Sequence, residues 1–287
     1  MSVLVIEGTY RIIGAQPDGD SIRFYPTTFQ DWDLVPGPHK IRQNRSHGAQ
    51  LRLDGIDALE THYTVTGEAL HQPLDLARAA ADRLLDFLGF TAFERDARET
   101  VTSSTPPEVP GFILTRGADL YGRCIALAAP GSAPPMDANH SVFVDIPLLH
   151  KTANYQLLKE GLAYPTYYRK LFYDLRNEMT KAVNEARPKL GVWADDQTTS
   201  GVNIQSMKTL VDEAVIMPKL FRRLVGYFDL NNGDTSLDGF AAYLEQRDDR
   251  VFLLSDGQWT GLGTVVDVNG QTVKLTKPPE DLVFEER

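Results

Sequence analysis

Arg52-Leu-Asp-Gly-Ile-Asp57-Ala-Leu-Glu60 is the stretch on which the fold and the chemistry turn. It continues a run that begins at Ala49 and reads as a strand. Alternation along that strand puts Leu51 and Leu53 on one face and Arg52 and Asp54 on the other. Asp57 and Glu60 follow where the strand gives way to a loop. An arginine on a strand beside loop carboxylates has the makings of a phosphate and metal site. The same residues also suit a solvated loop with a surface ion pair.

Upstream, residues 3 to 25 read as two strands joined at the turn Pro17-Asp-Gly-Asp20. Residues 26 to 48, rich in Pro, Gly, Asn and Asp, read as a long loop. It carries His39, Lys40, Arg42, Arg45 and His47, which are solvated or in contact with a substrate. Downstream, 74 to 88 has helical spacing and Gly89 can end the helix. Phe112 to Thr115 and Gly122 to Ala129 read as a β-pair around Asp119-Leu-Tyr-Gly-Arg123. Helical spacing returns over 146 to 162 and 168 to 187, and Leu190-Gly-Val-Trp193 closes the region.

Three segments taken in order, Asp18-Gly-Asp20, Arg52 to Glu60 and Asp119 to Arg123, together with Gly161-Leu-Ala163 and Leu190 to Trp193, resemble the staphylococcal-nuclease (thermonuclease) family. The resemblance covers residues 5 to 196. It implies a five-stranded OB-type Greek-key β-barrel with about three helices in residues 1–197. Residues 198–287 would then form a small α+β extension of unknown role.

The resemblance also implies roles. Asp20, Asp57 and the Ala58 carbonyl would hold Ca²⁺, with Mg²⁺ or Mn²⁺ as substitutes. Arg52 and Arg123 would grip the scissile phosphate, and Glu60 would orient or deprotonate the attacking water. Planar, permanently charged guanidinium groups suit an electrophile that gains negative charge on attack. Tyr121, Tyr167 and Arg169 would contact the nucleic acid, although Tyr167 is equally suited to capping the barrel. The implied activity is endonucleolytic hydrolysis of DNA or RNA, with single-stranded regions preferred. A catalytically weak scaffold that binds nucleic acid or protein is the alternative.

Two departures from the family pattern stand out. Leu59 replaces a proline, which predicts a looser loop under Glu60. Leu120 stands where some members carry a lysine.

Composition narrows the field. A net charge of −10 argues against broad nonspecific binding to nucleic acid, but catalysis needs positive charge only locally. The single cysteine, Cys124, excludes an internal disulfide and a thiolate zinc site, and its apolar strand predicts inert packing. No apolar stretch reaches the length of a membrane-spanning helix. The first residues read as a strand rather than a signal peptide. The expectation is a cytoplasmic protein, or a secreted one if a signal has been removed; oligomeric state is not legible. Beyond a polar linker at 195 to 201, residues 207 to 228 and 237 to 246 look helical. Residues 251 to 276 alternate as short strands.

Overall fold

The apolar faces set by strand alternation close into a ring. The structure is a computed structural model that describes residues 2–188 and 191–286, so Leu190 of the closing segment lies outside the described residues. Strand β1 (Ser2–Tyr10) pairs antiparallel with β2 (Ser21–Pro26), and β2 with β3 (Ala49–Leu53). After the short strand β4 (Gly55–Asp57) come β5 (Val109–Ala118) and β6 (Cys124–Pro130). β6 runs parallel to β3 and antiparallel to β5, and β5 returns to β1, closing a five-stranded barrel.

Its interior is filled by Ile6, Ile22, Phe24, Leu51, Leu53 and Ile113, all essentially inaccessible to water. Tyr10 is buried with them, and its hydroxyl donates to the Phe112 and Ala129 carbonyls at 2.8 and 3.1 Å. Cys124 is buried in β6, and burial pushes its thiol up to about 12, which makes it unreactive as expected.

Helix α1 (Leu74–Leu88) buries Ala77, Ala80, Ala81, Leu84, Leu85 and Leu88, the stripe that its spacing predicts. Gly89 ends it in the left-handed region at φ 111°. Helices α2 (Ile146–Leu149), α3 (Ala153–Lys159) and α4 (Tyr173–Ala186) follow, so the described residues of this part of the chain hold four α-helices where about three were expected. The stretch from 146 to 162 is broken because Thr152 starts a new helix, its hydroxyl accepting from the Tyr155 amide.

Asn154 on α3 shows how the helices are fixed to the barrel. It is fully buried, accepts from the Ala128 amide at 3.0 Å, and donates to the Asp54 and Ala126 carbonyls at 2.8 and 3.1 Å. Asn154→Ala removes three buried hydrogen bonds, with the Ala128 amide, the Asp54 carbonyl and the Ala126 carbonyl, of which the last keeps the Asp54 amide at 2.9 Å. It is expected to cost about 3 kcal/mol, measured as a fall in the urea midpoint at constant slope.

The chain beyond 198 is joined to the barrel through one sheet. Strand β7 (Tyr164–Tyr168) pairs antiparallel with β4 and parallel with the strand Leu282–Phe284, here β10. Strands β8 (Arg250–Leu253) and β9 (Gln258–Gly261) extend the sheet from β10. The edge strand that carries Asp57 is therefore the far side of a sheet built mostly from the C-terminal segment. The helix expected over 207–228 is split: residues 207–213 are helical, 214–217 break it, and α5 (Pro218–Leu230) restarts it with Pro218 at the first helical position; α6 (Phe240–Gln246) follows. Among the described residues no helix is long and apolar enough to cross a membrane.

Candidate active site

The turn at Asp18–Asp20 lies against Ala58 and α1. A Cβ on Gly19 would meet the Ala58 and Ala80 methyls at 2.5 and 2.6 Å, so only glycine allows the turn to lie this close. The Leu53 amide donates to the Asp20 carbonyl at 2.8 Å, and the Ala58 amide approaches the Asp20 carboxylate at 3.4 Å. Asp20 is thus held at the end of β3, beside Asp57, which ends strand β4 instead of lying in the expected loop, and beside the loop that carries Glu60.

Arg52 projects from β3 opposite buried Leu51 and Leu53, as alternation requires. One end of its guanidinium donates to Asp20 and the other to Asp57 at 3.0 Å. Asp57 is completely buried. Burial pushes its carboxyl upward, but Arg222 and Arg52 outweigh that and hold it below the ordinary carboxylate range.

Glu60 is fastened by Gln72. The Glu60 amide donates to the Gln72 side chain at 3.3 Å, and the Gln72 amide donates back to the Glu60 carbonyl at 2.9 Å. Gln72 also donates to the Ile216 carbonyl at 2.8 Å. Leu59 is fully buried in the core. The loop that was expected to loosen without its proline is therefore held by a buried side chain and a glutamine clamp. Burial, the largest effect, pushes the Glu60 carboxyl up to about 6; Arg222 opposes it, and the Asp18 and Asp57 charges add to it.

Arg222 comes from α5, in the C-terminal segment. Its Nη2 donates to Asp57 Oδ2 at 2.7 Å, and its Nη1 donates to Asp57 Oδ1 at 3.1 Å and to Glu60 at 2.5 Å. The structure therefore brings Asp20, Arg52, Asp57, Ala58 and Glu60 together, as the sequence predicts, with an arginine that the sequence reading did not include.

Arg123 does not join these carboxylates: it lines, with Arg52, a cavity of about 460 Å³ whose lining excludes Asp20, Asp57 and Glu60. Asp119 positions it: one carboxylate oxygen accepts from the Arg123 amide at 2.9 Å, the other from its Nε at 2.7 Å. Gly122 makes this turn possible. Its φ is +81°, and a Cβ there would meet the Arg42 Cβ at 2.7 Å, so the loop over 26–48 packs directly on the turn. Tyr121 is exposed beside Arg123, whose guanidinium carbon lies 5.6 Å from the Tyr121 ring centre.

The barrel contributes Arg52, Arg116 and Arg123 to this cavity, and β7 with the turn after it contributes Tyr168 and Lys170. The C-terminal segment adds Lys219, Arg223, Arg247 and Arg250. Against these eight cations stand Asp54, Asp119, Asp248, Asp249, Glu285 and Glu286, leaving local positive charge in a strongly acidic chain. Arg116 donates to Asp54 at 3.1 and 2.8 Å, whereas Arg116 Nη1 and Asp54 Oδ1 are buried without hydrogen-bond partners among the described residues.

Two expected nucleic-acid contacts fall elsewhere. Tyr167 is fully buried and its hydroxyl bonds to Thr180 at 2.8 Å, which is the capping role. Strand alternation turns its neighbour Tyr168 to the cavity instead. Arg169 is exposed and does not line the cavity, where Lys170 does.

No family model and no curated protein matches the chain. The site therefore has to be read on its own chemistry.

The acidic oxygens are the hard donors that Ca²⁺ prefers. Their arrangement is another matter. Both Asp57 oxygens, one Asp20 oxygen and one Glu60 oxygen are engaged by guanidinium groups. Among the described residues no three His, Cys, Asp or Glu side chains converge as a metal site. As arranged, these residues do not fit a divalent ion.

Some of what the sequence reading missed had a signal. Lys219-Leu-Phe-Arg222-Arg223 concentrates three basic residues in five within a segment of 9 basic and 14 acidic side chains. Gln72 and Arg116 carried none, because an isolated polar residue at a helix start or within a strand has no distinctive spacing.

Proposed function

We propose that this chain hydrolyses phosphodiester bonds in single-stranded DNA or RNA, on a barrel of the OB type. Arg52 and Arg123 hold the phosphate, and Glu60 takes a proton from the attacking water. The observation that carries this reading is the position of Arg52. It touches both buried carboxylates of the cluster and also lines the basic cavity with Arg123.

The chemistry follows from the parts. Two guanidinium groups lining the cavity stabilise charge that grows on the nonbridging oxygens. A carboxylate whose pKa lies near 6 is a competent base at neutral pH and is still able to return a proton. The cavity lies within the range of about 300–1,000 Å³ common to small-ligand pockets, so it suits an unpaired nucleotide or a strand end rather than a duplex. Tyr121 and Tyr168 offer faces on which a base can stack.

A specific observation favours a second reading, a binding scaffold without turnover. Arg222 covers Asp57 and Glu60. The two readings separate on circular and linear single-stranded DNA and RNA. Fragmentation of the circle supports endonucleolytic cleavage, and release of mononucleotides from linear ends alone supports trimming. Retarded but intact substrate supports the scaffold.

A further inference from the structure

We propose that Arg222 is the resident cation of the carboxylate cluster: α5 places a guanidinium between Asp57 and Glu60 where a divalent ion would otherwise bind, so docking of Arg222 and uptake of such an ion exclude one another. This rests on geometry alone and stands whether or not the barrel cleaves phosphodiesters.

Arg222 is not a surface side chain that happens to find an acid. It makes three hydrogen bonds to two carboxylates, and its main partner, Asp57, has no exposure to water. A buried carboxylate must be paired, and this one is paired from both sides: Oδ1 accepts from Arg52 at 3.0 Å and from Arg222 at 3.1 Å. An ion coordinated by Asp57 would need oxygens that these bonds occupy, and its charge would sit against two fixed positive groups. Binding therefore has to expel a guanidinium. Arg52 is also tied to Asp20, so Arg222 is the group that must leave.

The helix that carries Arg222 is firmly seated. Leu220, Phe221, Leu224 and Val225 are buried around it. Phe221 meets the Tyr63 ring edge-on at 6.2 Å between centres. The next residue, Arg223, forms a fork with Asp249 at 2.5 and 2.8 Å. Gln72 adds its bond to the Ile216 carbonyl just ahead of the helix. Asp18 adds a further negative charge near Glu60, so the cluster needs positive charge from some source. Replacing Arg222 by an uncharged residue should thus create demand for a cation at a site of hard oxygens.

The test is binding, read by calorimetry with Ca²⁺ and by Tb³⁺ luminescence on the full chain, beside circular dichroism of each variant. Wild type should show no saturable site up to about 1 mM, the weak end of protein Ca²⁺ affinities. Arg222→Gln and Arg222→Met should gain one site at least ~100-fold tighter than wild type, and Arg222→Gln combined with Asp57→Asn should lose it. Micromolar binding by wild type overturns the proposal whichever variants fold. So does the absence of a new site in a folded Arg222 variant. Because the readout is metal uptake, a silent nuclease assay and a failed binding prediction are distinguishable.

Discussion

Arg52→Ala is expected to lower kcat/KM on single-stranded substrate by about 10²- to 10³-fold, the size of effect seen when a fixed donor to transition-state charge is removed. The loss should be larger than for Arg123→Ala. Arg123 is partly exposed and braced by one carboxylate, Asp119, among the described residues, whereas Arg52 contacts Asp20 and Asp57 as well as lining the cavity. Arg52→Lys should not restore the rate. Lysine keeps the charge but places it at one point, and Arg52 spreads its donors over two carboxylates. The substitution also has a stability cost. With Arg52 gone, Asp57 is left paired with Arg222 alone among the described residues and Asp20 loses its ion pair with Arg52, so a loss of about 3 kcal/mol is expected on unfolding. Activity must therefore be measured well below the variant's melting temperature. A folded Arg52→Ala protein that cleaves at more than a tenth of the wild-type rate would remove Arg52 from the reaction.

What was legible beforehand divides along a physical line. Strand alternation placed Leu51 and Leu53 inside and Arg52 opposite them, because a period of two is written into consecutive residues. The stripe of α1 and its stop at Gly89 were visible for the same reason. The grouping of Asp20, Arg52, Asp57 and Glu60 was legible through the resemblance of their segments to the nuclease pattern, since no local periodicity links Asp20 to Arg52 across 32 residues. Arg222 lies 165 residues from Asp57, and no local pattern reports a pairing across that distance. The same holds for the sheet that runs from β4 through β7 to the C-terminal strands. Tyr167 and Tyr168 differ by one position, and a strand sends adjacent side chains to opposite faces. Without the register against β4 and β10, either tyrosine was a fair candidate for the cavity. Leu59 gives the converse case. The change from proline was legible, but its consequence depended on Gln72, whose partners lie on another segment.

Glu60→Gln is the second large effect and the one that tests the chemistry most directly. The amide retains an acceptor for Arg222 and nearly the same volume, so the loop and its Gln72 clamp should survive. It cannot take a proton, and the rate should fall by about 10²-fold or more. The pH dependence gives a separate readout. A base must be ionised to act, so wild-type kcat/KM should climb about tenfold per pH unit below its pKa and level off above about 6. The variant's profile should be flat over that limb. Stability moves in the opposite direction. Glu60's folded pKa lies above the ordinary 4.5, so the native state holds that proton more tightly than the unfolded chain does. Its contribution is greatest at low pH and is lost as pH rises from about 4.5 through about 6. Asp57 has the reverse sign. Its lowered pKa contributes stability above the ordinary 3.8, and that stability disappears as the solution is acidified below it. Wild type should thus lose one contribution as pH rises from about 4.5 through about 6 and the other as pH falls below 3.8, and Glu60→Gln should abolish only the former. An acid limb that persists unchanged in Glu60→Gln would assign the proton transfer to a different group.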